Sequence, residues 1–317
     1  MTRIGTSDLD ILPLVLGGNV FGWTVDPEQS FALLDAFHAG GGTLIDSADS
    51  YSHWVPGNVG GESETIIGQW LASRKPVGVA VSTKVSGHPA SPGLSAKNVR
   101  TGVEASLKRL GVETIDVYYA HYDDPATPLE EAVGVFDDLV REGLIRYPAL
   151  SNFTGERIRA WVDCARDAGL AQPIAIQPEY NLVHRNEVEA DIIPVAEELE
   201  LSLLPSSGLA SGFLTGKYRS QDAEGSDSPR AGDAARYANA QGLRIIDTLE
   251  DIGRTHGASI AATALAWVRH QPTVAAPLAS ASRLDQIDDL LAGARLELTE
   301  DELARLDDVS DWTPAVP

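Results

Sequence analysis

Short apolar runs alternate with longer amphipathic segments along the 317 residues, and this alternation constrains the fold more than any other feature. The runs are Leu12–Leu16, Thr43–Asp46, Val77–Lys84, Asp116–Tyr119, Tyr147–Ser151, Ile174–Gln177, Ser202–Pro205 and Val274–Pro277. Each has the length and flanking turn residues of a strand. Helical spacing fills residues 28–39, 62–73, 95–110, 129–142, 155–168 and 187–200, then two helices within 238–270 and one over 283–291. Eight strands, each followed by a helix, predict an α/β protein built as a closed parallel (β/α)₈ TIM barrel. A doubly wound sheet is the runner-up, but its Gly-x-Gly-x-x-Gly turn after the first strand is missing.

The expected organisation is one domain over residues 1–317. A mobile loop is expected around 219–237, where Ser, Asp, Gly and Ala dominate, and a C-terminal helix from about 299, where Thr299-Glu-Asp-Glu302 spells a capping box. The net charge of -22 repels nucleic acid and anionic membranes, and any anionic ligand needs a locally positive pocket. Cys164 is the single cysteine, which leaves no pair for an internal disulfide and no Cys-based metal site. The N-terminus does not read as a signal peptide, and no run approaches the ~18 apolar residues of a membrane span, so a cytoplasmic location is expected.

In a barrel of this kind, chemistry sits where the strands end. The second strand ends at Asp46, with Tyr51 five residues on; the third ends at Lys84, the fourth at His121, the fifth at Ser151-Asn152 and the sixth at Gln177. A tyrosine with its ordinary pKa of about 10 is a poor acid–base group at neutral pH, and a neighbouring ammonium such as Lys84 favours its phenolate. Asp46 can balance Lys84, and His121 can orient a carbonyl. A proton donor beside a site that can receive a hydride is the chemistry these residues suggest.

Six motifs in this order resemble the aldo-keto reductases, in the branch similar to potassium-channel β-subunits. They are Leu-Ile-Asp46-Ser-Ala-Asp-Ser-Tyr51, Ser-Thr-Lys84, Asp116-Val-Tyr-Tyr-Ala-His121, Leu-Ser151-Asn152-Phe153, Gln177-Pro-Glu-Tyr180-Asn181 and Gly212-Phe-Leu-Thr-Gly-Lys217-Tyr218. The resemblance implies NADPH-dependent reduction of aldehydes or ketones, keto-sugars included, with Tyr51, Asp46, Lys84 and His121 as a catalytic tetrad. It implies that Ser151, Asn152 and Gln177 hold the nicotinamide amide, and that Ser206, Leu209, Ser211, Gly212 and Lys217 line the cofactor after the seventh strand. Ser280, Ser282, Arg283 and Gln286 would take the adenosine phosphate at a helix N-terminus after the eighth. Ser206 stands where many relatives carry a stacking aromatic, and Pro148 where a glycine is common.

Trp23, Trp54 and Phe153 are expected to wall the substrate pocket, with His53, Asp123 and Asp124 shaping the entrance. The rival reading is a regulatory subunit that binds NADPH and senses its redox state with little turnover. A metal-dependent hydrolase fits poorly because the seven histidines offer no ligand spacing, and a glycosidase because no second carboxylate is evident.

Overall fold

The computed structural model describes residues 1–220 and 228–311. Eight parallel strands form one sheet: Val15–Gly17, Leu44–Asp46, Ala80–Val85, Ile115–Ala120, Ile145–Ser151, Ala175–Gln177, Ser202–Leu203 and Leu278–Ala279. The eighth strand pairs with the first, Leu278 against Val15. The ring closes where Leu203 bridges Val274 in parallel and the Leu278 amide donates to the Pro205 carbonyl at 2.7 Å. The first strand therefore starts three residues later than its apolar run. The eighth lies just beyond Val274–Pro277, since pairing with the first strand, rather than hydrophobicity, sets its limits.

Alternation along the strands divides the side chains into two cores. Val15, Leu44, Ala80, Val117, Tyr119, Ala149 and Ala175 fill the barrel, whereas Leu16, Ile45, Val81, Tyr118, Leu150 and Ile176 meet the surrounding helices. A hairpin of two-residue strands, Thr2–Arg3 and Asp10–Ile11, precedes the barrel and adds Ile4, Leu9 and Ile11 to the inner core. It fits tightly: a Cβ on Gly5, at φ +48°, would lie 2.4 Å from the Ile174 carbonyl oxygen. Strands this short carry no periodic signal, and the sequence reading passes over them.

Helix ends follow the local chemistry. Ser95 caps the helix Ala96–Leu110 by accepting from the Asn98 amide, and Thr154 caps Gly155–Ala168 by accepting from the Arg157 amide. The capping box at Thr299 starts the helix Glu300–Ser310 where expected. Of the expected mobile loop 219–237, residues 221–227 lie outside the described chain. Within it, Ala231–Ala235 is a helix with Ala231, Ala234 and Ala235 buried.

Candidate active site

The alternation that fills the barrel also aims polar groups at its C-terminal mouth. Asp46 is two residues beyond Leu44, Ser82 and Lys84 two and four beyond Ala80, His121 two beyond Tyr119, and Gln177 two beyond Ala175. All point the same way as the inner core and emerge above it.

Lys84 is fully buried, and its ammonium uses all three donors: to Asp46 Oδ2 at 2.5 Å, the Ser47 carbonyl at 2.8 Å and the Tyr51 hydroxyl at 2.9 Å. The other Asp46 oxygen accepts from Ser82 Oγ at 2.7 Å and Gln177 Nε2 at 3.2 Å. The ion pair has left water with its hydrogen bonds satisfied, as a buried pair must. Burial works against the Lys84 charge, but the Asp46 carboxylate and Tyr51 outweigh it and hold the lysine pKa up.

Tyr51 is delivered by a tightly tied loop. Its successor, Ser52, adopts φ +69° and donates through Oγ to the Phe21 carbonyl at 2.8 Å. Asn58 Nδ2 donates to the carbonyls of Gly22 and Ser52. Desolvation pushes the Tyr51 pKa up despite the opposing pull of Lys84, reversing the net direction expected from the sequence. The phenol stays protonated through neutral pH. His121 is driven well below the usual imidazole pKa, first by burial and then by Lys84; it is neutral, and its Nδ1 is buried with no hydrogen-bond partner among the described residues. A neutral imidazole can donate a hydrogen bond to a carbonyl, but it is not a ready acid.

Above these groups opens a cleft of about 1120 Å³ that contacts Asp46, Tyr51 and His121 at one end and Ser280, Ser282 and Arg283 at the other. It is larger than a typical ~300–1,000 Å³ small-molecule site and has room for an extended dinucleotide beside a small substrate. Ser151, Asn152 and Gln177 line it after the fifth and sixth strands, and Ser206, Leu209, Ser211, Gly212 and Lys217 after the seventh. Gln286 completes the far end. Ala210, Ser211 and Gly212 all have positive φ, a tight turn in which the Ala210 and Gly212 amides donate to the Ser207 and Leu209 carbonyls at 2.8 Å. A Cβ on Gly212 would sit 3.3 Å from the Lys217 ammonium nitrogen, so the glycine keeps that charge in place. These features fit a dinucleotide cofactor.

At the far end, Arg283 is forked onto Asp285, and Asp289 also lines the wall. Gln286 Oε1 accepts from the Ser282 and Arg283 amides and so shapes the turn.

The aromatic wall differs from expectation. Trp54 lines the cleft, edge-on to Tyr51 at 6.4 Å, and Trp23 stands behind it at 5.5 Å. Phe153 does not face the mouth: it is 3% exposed and packs on Trp161. Strand alternation would place it beside Ser151, but Asn152 adopts φ +58° and turns the chain outward. His53 lines the entrance, whereas Asp123 is bound to Arg157, and Asp124 accepts from Thr127 and the Leu94 amide.

Several lining residues escape the sequence reading. Asn19 accepts from Ser280 Oγ at 2.6 Å and Gln29 Nε2 donates to the Ser282 carbonyl at 2.7 Å, tying the first loop to the last. Gly17-Gly18 before Asn19 is the available signal, since a Cβ on Gly17 would lie 2.6 Å from Ser280 Oγ. Arg230, inside the segment read as mobile, also lines the cleft.

Behind Tyr51, Asp49 is buried near Glu64, which is held by Arg109 and Thr83. Burial first, then the Glu64 charge, raise the Asp49 pKa from 3.8 to about 7. Between about pH 4 and 7 the folded state keeps a proton that the unfolded chain, titrating near ~3.9, has lost. This group therefore lowers stability as pH rises through that window. Asp49→Asn should flatten that part of the stability–pH curve, as urea midpoints measured from acid to neutral pH will reveal.

A sequence profile described as the "Aldo/keto reductase family" matches residues 13–311. A probable voltage-gated potassium channel subunit beta of Oryza sativa subsp. japonica is 32% identical, with 90% of this chain and 88% of that protein covered. Protein tas of Escherichia coli (strain K12) is also 32% identical, covering 97% and 96%. The aldo-keto reductase str7 of Strobilurus tenacellus is 30% identical, covering 96% and 87%. With a barrel of eight parallel strands and a family match over nearly its whole length, the chain belongs to the aldo/keto reductase family and is a nicotinamide-dependent oxidoreductase of carbonyl groups.

Proposed function

We propose that this chain reduces aldehydes and ketones, keto-sugars among them, with NADPH as cofactor and Tyr51 as proton donor. The observation that carries the reading is the buried Lys84 ammonium, which donates at once to Asp46 and to the Tyr51 hydroxyl beneath the cleft. When bound, NADPH supplies a hydride to the carbonyl carbon. Ser151, Asn152 and Gln177 would hold its amide, the 209–212 turn and Lys217 its pyrophosphate, and Ser280, Ser282, Arg283 and Gln286 its adenosine phosphate.

The chain's own residues do the rest. Tyr51, kept protonated by burial, gives its proton to the developing alkoxide. Lys84 stabilises the phenolate left behind, and Asp46 keeps Lys84 charged. Neutral His121 donates a hydrogen bond that fixes the carbonyl oxygen. NADPH consumption with a panel of aromatic aldehydes, diketones and keto-sugars tests the reading; no turnover of any of them, at saturating cofactor, would count against it.

The preference for NADPH over NADH rests on Arg283. Its pairing with Asp285 is exposed to solvent and contributes little there, so a phosphate can displace it. Arg283→Ala should raise the NADPH dissociation constant about tenfold, the loss of a charge-assisted contact, and leave NADH unchanged. Fluorescence titration with both cofactors checks this; equal weakening of the two would remove Arg283 from phosphate recognition.

Ser206 lines the cleft in the position where an aromatic is expected, and its hydroxyl donates to the Pro178 carbonyl. Ser206→Trp should tighten NADP⁺ binding about fivefold by restoring a ring stack. Calorimetry on the variant provides the number.

A further inference from the structure

Two polar atoms at the mouth have no part in the reductase reading above, on which this inference rests. His121 Nδ1 is buried with no hydrogen-bond partner among the described residues, and a buried polar atom of this kind calls for an account. Ser50, the residue before Tyr51, is buried in the same wall of the cleft, and its Oγ makes no hydrogen bond among the described residues either. A Cβ on Gly87 would lie 2.9 Å from His121 Nδ1 and 3.2 Å from Ser50 Oγ, so the two atoms flank the space that the glycine leaves open. The Ser50 carbonyl accepts from the His53 amide at 3.2 Å and from His53 Nδ1 at 2.7 Å, which fixes the backbone and leaves the hydroxyl free to turn.

The plane of the His121 ring is already fixed. It stacks on Tyr122 with centres 4.4 Å apart, its amide donates to the Val85 carbonyl, and its carbonyl accepts from Asn152 Nδ2. Stacking does not decide which nitrogen carries the proton. A neutral imidazole has one N–H, and the hydrogen bond made by the other nitrogen sets the tautomer. We propose that Ser50 is the positioning residue that sets it: its hydroxyl donates to His121 Nδ1 and so keeps the proton on Nε2 for the substrate carbonyl. The opposite arrangement, with Nδ1 donating to the serine, would turn the Nε2 lone pair on the carbonyl oxygen, where the two repel. Hydrogen bonds of this kind are often long before substrate binds and tighten in the complex. A side chain at residue 87 would stand between the partners, so the glycine belongs to the arrangement. A serine beside a tyrosine carries no such signal in the sequence, because only the fold brings it to His121.

Nitrogen NMR of protein carrying isotope-labelled histidine reads the tautomer without turnover, in the presence of NADP⁺ and acetophenone, a pair that cannot react. The His121 signals are identified by their loss in His121→Asn. In the wild type the proton should sit on Nε2, with Nδ1 at the position of a hydrogen-bonded acceptor. In Ser50→Ala the Nδ1 signal should move to that of an unbonded nitrogen and the second tautomer should appear; Ser50→Thr, which keeps the hydroxyl, should return the wild-type pattern. Turnover should follow the same order. Ser50→Ala should lower kcat/KM for benzaldehyde about fivefold, the contribution of one neutral hydrogen bond, while Ser50→Thr recovers most of it and the NADPH dissociation constant stays within about twofold. A proton on Nδ1 in the wild type, or the same Nδ1 signal in wild type and Ser50→Ala, would overturn the proposal. So would an equal loss of turnover in Ser50→Ala and Ser50→Thr, which would make residue 50 a matter of pocket shape. Absence of turnover across the aldehyde, diketone and keto-sugar panel would defeat the reductase reading, while the NMR would still decide what sets the tautomer.

Discussion

Tyr51→Phe should lower kcat for carbonyl reduction by about 10²–10⁴-fold, the usual contribution of a positioned general acid, with cofactor affinity almost unchanged. The substitution removes one oxygen and keeps the ring that packs edgewise on Trp54 and on His121, at 6.4 and 6.2 Å. His121 is neutral at working pH, and the Lys84 ammonium, which loses its Tyr51 acceptor in the variant, stays bound to Asp46 and the Ser47 carbonyl with its pKa held up by Asp46. Because burial raises the Tyr51 pKa, the reduction rate should stay level through neutral pH and fall only once the phenol ionises, in the alkaline range. Single-turnover kinetics of the wild type and variant at saturating NADPH separate this effect from binding. Normal turnover in Tyr51→Phe would remove the residue from proton donation. Tight NADPH binding without turnover in the wild type would shift the reading to a redox-sensing subunit.

Much of this arrangement was legible because two periodicities act together. Alternating strands and helices give the barrel, and the two-residue repeat within each strand carries Asp46, Lys84, His121 and Gln177 from the inner core to the mouth. What stayed hidden depends on contacts between distant segments. The limits of the eighth strand come from its pairing with Val15 and Leu16, which no local pattern encodes. Phe153 was misplaced because a single left-handed residue, Asn152, breaks the alternation that would have pointed it into the cleft. Arg230 was lost in a segment whose composition reads as solvent-exposed loop. The direction of the Tyr51 pKa shift needed burial to be known, since neighbour charge and desolvation oppose each other there.

The second large effect is on stability. Lys84→Met should destabilise the fold by about 3–5 kcal/mol, because it leaves the Asp46 carboxylate buried, 1% exposed, without its counter-charge. Ser82 and Gln177 still donate to one Asp46 oxygen, but the other, the Ser47 carbonyl and the Tyr51 hydroxyl lose their donor together. Removing both charges should behave differently. Lys84→Met with Asp46→Leu exchanges a desolvated ion pair for apolar contacts and should recover most of the lost stability, as replacement of buried pairs often does. Turnover should remain absent in both variants, since neither supplies the ammonium beside Tyr51. Urea midpoints and turnover measured on the three proteins separate the two roles. A double variant as unstable as the single one would mean that Lys84 and Asp46 hold the barrel mouth together. A stable, inactive double variant would mean that the pair is kept for its chemistry, at a cost in folding energy that the two apolar cores can bear.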